Sequence, residues 1–227
     1  RHEPENFARA ATICEYQDFL TLRLTGRRCA SLNNASIRWH YASDRGGWPV
    51  SLVRALGIEA LLEKWPAEVL APGAVIGRLT RDAAEHLDLP ASVRVVQGGA
   101  DALIGIIGLG VARPGQIALI TGSSHLQFGV SDQPRHVPGL WGTYRDSVYP
   151  GSHLLEGGQT STGSIIAWLR RLMSGALDLA ALNEAAAALP PGAEGVLALD
   201  HFQGNRTPHT DSLSRGAITG LSLHHGV

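Results

Sequence analysis

From Glu5 to Leu24 the apolar residues Phe7, Ala11, Cys14, Leu20 and Leu24 return at near-helical intervals, and Gly26 follows as a left-handed stop, so the spacing predicts one helix there. A second is predicted from Pro49 to Lys64, with proline in its first turn and Val50, Val53, Leu56, Leu61 and Leu62 toward a core, and a short third from Arg81 to Leu87. Strand patterning then takes over. Val93 to Gln97 reads as a strand that ends in Gly98-Gly99-Ala100-Asp101 and passes into a small-residue helix reaching Gly110. Gln116 to Thr121 and Leu126 to Val130 are β-rich runs on either side of Gly122-Ser123-Ser124-His125, the pattern of a hairpin. Ser131 to Gly151 is rich in turn residues, and His153 to Glu156 is a short strand. Thr160 to Leu172 sets Ile165, Trp168, Leu169 and Leu172 on one helical face, and Asp178 caps an alanine-rich helix ending at Pro190 and Pro191. Val196 to Leu199 reads as a buried strand and Gln203 to Asp211 as an exposed loop. Strands alternating with helices make this an α/β chain whose mainly helical part comes first.

Composition narrows the function classes. The chain has 227 residues, 44% hydrophobic and 17% charged, enough to bury one large core or two small ones. Its 19 basic and 20 acidic residues are scattered and leave a net charge of -1, so no patch suits nucleic acid or a membrane surface and a small molecule is the expected partner. The two cysteines, Cys14 and Cys29, supply neither a disulfide framework nor a metal site; packing roles and a reducing, cytoplasmic setting fit them. No basic-then-apolar leader stands at the start, and no apolar run approaches the roughly 20 residues of a membrane-spanning helix. The first residue is Arg1 rather than Met, and Gly220 to Val227 ends without a cap or polar tail, so both ends are expected to be cuts.

Four runs could carry chemistry. In Gly98-Gly99-Ala100-Asp101 the glycines admit a ligand close to the backbone, and Asp101 at a strand's carboxyl end points into the crevice where open α/β sheets bind ligands; as a bland alternative it caps the helix. Thr121-Gly122-Ser123-Ser124-His125 can cradle phosphate oxygens with amides and hydroxyls, or be an ordinary turn. Glu156-Gly157-Gly158-Gln159-Thr160-Ser161-Thr162-Gly163 leads into a helix N-terminus that favours anions, or is a helix start capped by Thr160 or Ser161. In Phe202-Gln203-Gly204-Asn205-Arg206-Thr207-Pro208, Arg206 either meets a phosphate or faces water. Ser123 or Ser124 with a histidine and an aspartate could also make a hydrolase triad, but neither serine lies in a G-x-S-x-G elbow.

The order of these runs carries a resemblance. GGADALIGIIGLG, from Gly98 to Gly110, resembles the segment of FGGY-family carbohydrate kinases that bears the catalytic aspartate, and IALITGSSHLQF, from Ile117 to Phe128, resembles their phosphate hairpin with Ser123 in place of threonine. GLWGTYRDSVYPGSHLLEGGQTSTGSIIAW and FQGNRTPHTDSLSRGAITGLSL are similar to the ribulokinase-like, pentulose-kinase branch, and EYQDFLTLRLTG and SLNNASIRWHY to the end of the family's first lobe. The resemblance implies an actin-like, ribonuclease H-like two-lobed α/β fold, with residues 1–109 from the N-terminal lobe and 110–227 from the C-terminal lobe. It implies ATP-dependent phosphorylation of a small sugar, a ketopentose such as ribulose, with ATP and Mg2+ and no protein metal ligands. Asp101 would be the general base; Glu156, Asp101 and the more loosely aligned Arg38 would touch the sugar; Gly122, Ser123, Ser124 and Gly163 would touch the nucleotide. The family's opening aspartate-glycine-threonine hairpin and closing adenosine loop have no counterpart in these residues, so a catalytically incomplete sugar-binding or scaffold module is the competing expectation. A homodimer is compatible with either.

Overall fold

The computed structural model of the chain describes residues 2–173 and 178–225. The chain divides into two compact units. One comprises Arg1–Gln116, Gly129–Arg135 and Gly142–Leu155; the other comprises Ile117–Phe128, His136–Trp141 and Glu156–Val227. The elements of the first stretch run α1 (Pro4–Arg9), α2 (Tyr16–Thr25), β1 (Ala30–Ser31), α3 (Leu32–Arg38), α4 (Val50–Ala55), β2 (Val69–Leu70), β3 (Val75–Arg78), α5 (Arg81–Leu87), β4 (Arg94–Val96) and α6 (Asp101–Gly108). There follow β5 (Ile117–Thr121), β6 (His125–Ser131), β7 (Trp141–Arg145), β8 (His153–Gln159), α7 (Gly163–Leu172), α8 (Leu179–Ala188), β9 (Leu197–Leu199) and β10 (Ala217–Thr219). Among the described residues no helix is long and apolar enough to cross a membrane.

Local signals that are complete in themselves hold. Asp178 caps α8 by accepting the Ala181 N–H at 2.7 Å, Gly26 closes α2 at φ 71°, and the short helix expected over Arg81–Leu87 is present as α5, with Thr80 accepting the Ala83 N–H at 3.2 Å as its cap. The predicted hairpin is present as β5 and β6. Elsewhere long-range partners override the pattern. The helix expected over Glu5–Leu24 is two helices, because the Thr12 hydroxyl and the Ile13 N–H both donate to the carbonyl of Lys64, at 2.9 Å each, and pull the chain between them out of helical register. The one expected over Pro49–Lys64 stops at Ala55, and Gly57 at φ 65° turns the chain before a single 3-10 turn at Glu59–Leu61. The turn-rich stretch holds a strand, β7, and β8 runs three residues beyond the predicted end. The strand at Leu197–Leu199 is exposed rather than buried, with Leu197 at 66%.

In the first unit β1 and β2 pair in parallel and β3 and β4 antiparallel, with a bulge between Val75 and Gly77. Its core gathers Cys29, Ala30, Ala35, Val53, Ile76 and Ile106 with a tryptophan cluster in which Trp48 stacks on Trp65 at 4.5 Å and Trp39 meets Trp65 edge-on at 5.3 Å. The four-stranded sheet has the order β5-β6-β8-β7. In the second unit β9 and β10 form an antiparallel pair.

Candidate functional site

Asp101 is the first residue of α6, after Ala100 in extended conformation. Its carboxylate is exposed and accepts the Ala102 N–H at 2.8 Å. The loop that presents it rests on a buried polar network that periodicity does not reveal. Asn33 Oδ1 accepts the Ala100 N–H at 2.9 Å, and the Ser31 hydroxyl donates to the Gly98 carbonyl at 2.7 Å. Gln97 Oε1 accepts from the Gly98 N–H at 3.1 Å and from Gln17 Nε2 at 2.7 Å, and Gln17 Oε1 in turn accepts from Asn34 at 2.8 Å. Asp18 closes the network by accepting the Ser31 N–H at 2.9 Å. Burial pushes the Asp18 carboxyl up to about 6, with Glu15 adding to the rise and the backbone bonds opposing it. The one local hint in the sequence is Asn33-Asn34, two amides at the start of a helix whose neighbours are apolar. Arg38, in the last turn of α3, is 57% exposed, with Nε 3.6 Å from the Glu15 carboxylate.

In the second unit the β5–β6 turn and the start of α7 lock together. The Ser123 carbonyl accepts from the Thr162 N–H at 2.9 Å and the Ser164 hydroxyl at 3.0 Å, and the Gly122 carbonyl accepts from the Gly163 N–H at 3.3 Å. A Cβ at Gly163 would sit 2.7 Å from the Gly122 oxygen, so only glycine lets the helix start this close. Gly122, Ser123, Ser124 and Gly163 are therefore brought together as expected, with one correction. The α7 amides meant for an anion are spent on hairpin carbonyls, and the helix begins at Gly163 behind Thr162 rather than behind Thr160 or Ser161. With both carbonyls turned to α7, the amides of Ser123 and Ser124 make no hydrogen bond among the described residues. They are the donors left to meet an anion.

Glu156, on β8, pairs with Arg206, whose guanidinium carbon lies 4.0 Å from the centroid of the Trp141 ring. Arg206 is thus not the solvated loop arginine that its setting suggested. The loop around it is also less exposed than predicted. Asn205 is buried, exchanges backbone bonds with Asp211 at 2.7 and 2.8 Å, and accepts the His209 N–H at 2.7 Å. Gly158 N–H donates to Thr207 Oγ1 at 3.1 Å, tying the loop to β8. A serine does meet a histidine here, but it is Ser214, not Ser123 or Ser124, with Oγ 2.7 Å from His201 Nδ1. Asn205 Nδ2 lies 2.9 Å from His201 Nε2 and so donates to it, which leaves the ring proton on Nδ1, facing Ser214. That histidine cannot take the serine's proton, and a triad has no footing there.

Residues 1–108 match the FGGY family of carbohydrate kinases, N-terminal domain, and residues 117–227 match the FGGY family of carbohydrate kinases, C-terminal domain. A ribulokinase of Shouchella clausii is 32% identical over 97% of this chain and 42% of its own length. An FGGY carbohydrate kinase domain-containing protein of Xenopus laevis is 31% identical over 96% of this chain and 46% of its own. Among solved structures, the xylulose kinase from Rhodospirillum rubrum matches with a TM-score of 0.80 at 31% identity, over 100% of this chain and 45% of that one. The gluconate kinase from Lactobacillus acidophilus reaches 0.85 over 99% of this chain and 45% of that one at 22% identity, a likeness of fold. The chain spans less than half the length of these relatives, and its fold is their actin-like, ribonuclease H-like α/β fold. With both domains of one family matched in succession along it, the chain belongs to the FGGY family of carbohydrate kinases.

Proposed function

We propose that the full-length protein phosphorylates a small sugar at the expense of ATP, with a ketopentose such as ribulose as substrate and the join between the lobes near Gly110. The observation that carries this reading is an exposed carboxylate, Asp101, on a loop fixed by buried amides, in a chain that matches both domains of a sugar-kinase family. Asp101 accepts the proton of the sugar hydroxyl as that oxygen attacks the γ-phosphorus and the bond to ADP breaks. Little covalent chemistry is asked of the protein, so placement and charge compensation supply most of the acceleration. Gly122, Ser123 and Ser124 receive the β- and γ-phosphates, Gly163 lies beside the nucleotide, and Glu156 and Arg38 contact the sugar. Names of relatives favour a pentulose, since a ribulokinase and a xylulose kinase both cover nearly the whole chain.

Magnesium is the expected companion of ATP. Among the described residues no group of three or more His, Cys, Asp or Glu side chains could hold a metal ion. Mg2+ ordinarily keeps several waters and binds through one or two carboxylates plus substrate phosphates, and the phosphates would carry it here. The test is a coupled ADP assay of the full-length protein against pentuloses, hexuloses, tetritols and glycerol. ADP release that depends on a pentulose supports the proposal. The partial span of the relatives favours a second reading of these residues by themselves, a sugar-binding or scaffold module. Its signature is a sugar-induced rise in melting temperature without ADP.

A further inference from the structure

We propose that Asn33 is the positioning residue of the catalytic loop: its one buried side-chain amide holds both the backbone that presents Asp101 and the segment at Ser147, and so sets where the carboxylate stands. The inference rests on the reading of Asp101 as the base. Asn33 is 0% exposed, on the first turn of α3. Its Oδ1 accepts the Ala100 N–H at 2.9 Å while its Nδ2 donates to the Ser147 carbonyl at 2.8 Å. Ser147 is itself 1% exposed. An amide offers an acceptor and a donor from one carbon; the Ala100 N–H can only donate and the Ser147 carbonyl can only accept, so the side chain has a single satisfied orientation. Asp supplies the acceptor and not the donor when ionised; Leu or Ala supplies neither and leaves the Ala100 N–H and the carbonyl of buried Ser147 without it.

The contact is steric as well. A Cβ on Gly99 would fall 2.7 Å from Asn33 Cβ, so the loop lies directly on the asparagine and has no slack toward it. Ala100 immediately precedes α6, and Asp101 is that helix's first residue. Fixing the Ala100 N–H therefore fixes the direction in which the helix leaves and its first side chain points. Misplacing a reacting group by about 1 Å can cost about 10²-fold in rate.

The test uses the full-length protein and four variants. Asn33→Ala should lower kcat about 10- to 100-fold with KM for ATP little changed, and amide exchange at Ala100 should speed up at least about tenfold. Val53→Ala, a core change on α4, controls for lost stability and should leave both readouts near wild type. Asn33→Asp is the second probe, in case the alanine variant folds poorly. When its carboxyl is protonated it again offers donor and acceptor, so its kcat should fall as pH rises through that ionisation, an alkaline limb absent from wild type. Asp101→Asn checks the underlying reading separately. Should it turn over normally, the base assignment fails, while exchange at Ala100 still decides the role of Asn33. Unchanged exchange at Ala100 in Asn33→Ala, or a kcat loss no greater than that of Val53→Ala, overturns the proposal, as does an Asn33→Asp profile that parallels wild type.

Discussion

Glu156 and Arg206 should be energetically coupled, and the size of the coupling follows from their burial. Their side chains are 12% and 18% exposed, so water screens them far less than a surface pair. Arg206 also stacks on Trp141, and its Nε is buried with no hydrogen-bond partner among the described residues, which leaves the guanidinium little recourse once the carboxylate is gone. Breaking a buried pair from one side costs about 3–5 kcal/mol, and the residual exposure places Glu156→Ala near 3 kcal/mol, at the low end. In a domain of this size each kcal/mol moves the melting temperature by roughly 2–4 °C, so the variant should melt about 6–12 °C lower. Glu156→Gln keeps an acceptor for Arg206 and should lose only about 1–2 kcal/mol. Urea denaturation of wild type, Glu156→Ala, Arg206→Met and the double variant closes the cycle, and the double variant should lose clearly less than the sum. Losses that add within about 0.5 kcal/mol would refute the coupling. The same carboxylate is assigned to sugar hydroxyls, which separates a second readout. Glu156→Gln should weaken sugar binding about tenfold or more in titration calorimetry, with ATP affinity unchanged. A lower melting temperature with unaltered sugar affinity would end the substrate assignment.

Asp101→Asn in the full-length protein should bind sugar normally and lose about 10²–10⁴-fold in turnover; near-normal turnover excludes Asp101 as the base. Ser123→Val should weaken ATP more than sugar, because it removes the hydroxyl and its bulk hinders the approach of phosphate to the backbone; equal losses for both ligands would make the turn merely structural. Asp18 has its carboxyl raised by burial from 3.8 to about 6 in the folded state, so folding favours the protonated form. Its favourable contribution is present below about pH 4 and is lost as pH rises through about 6. Asp18→Asn keeps an acceptor for the Ser31 N–H, so it should gain stability relative to wild type across that window and hold a constant difference above it. A difference that stays flat from pH 4 to 7 in denaturation experiments contradicts the assignment.

What the sequence made legible are the elements whose signals are local. Asp178 caps its helix, Gly26 ends α2, and the β5–β6 hairpin follows from two β-rich runs around a small polar turn. The breaks were illegible for a physical reason. The chain at Thr12 and Ile13 leaves helical geometry for a carbonyl at Lys64, about 50 residues away, and apolar spacing reports which face is buried but not which distant acceptor competes. Arg206 is divided in this respect. A nearby arginine such as Arg145 or Arg206 is the expected structural partner of Glu156, and Arg206 fills that place, whereas nothing around Phe202 to Pro208 indicates that the ring of Trp141 receives it. Motif residues were findable because glycine and hydroxyl runs are conspicuous, whereas Asn33, Gln97 and Gln17 look like ordinary polar residues until their burial is known.

That buried network bears on how such a site can be rigid at a loop. Among the most deeply buried side chains of the first unit are Gln97, Asn33, Ser31 and Ser147, in company with Ile76 and Ile106. Apolar side chains of equal volume would fill the space without the desolvation cost of amides and hydroxyls. Apolar contact is non-directional, however, and would allow the Gly98-Gly99 backbone, which has no side chains to anchor it, to settle along several paths. Hydrogen bonds to the Gly98 N–H, the Gly98 carbonyl and the Ala100 N–H admit one path. The ordering of the loop is then completed on folding rather than when substrate arrives. For a base at Asp101 this is the favourable division: its carboxylate stays exposed at the start of α6, where free helical N–H groups favour its charge, while the Asn33, Ser31 and Gln97 side chains that aim its loop are buried.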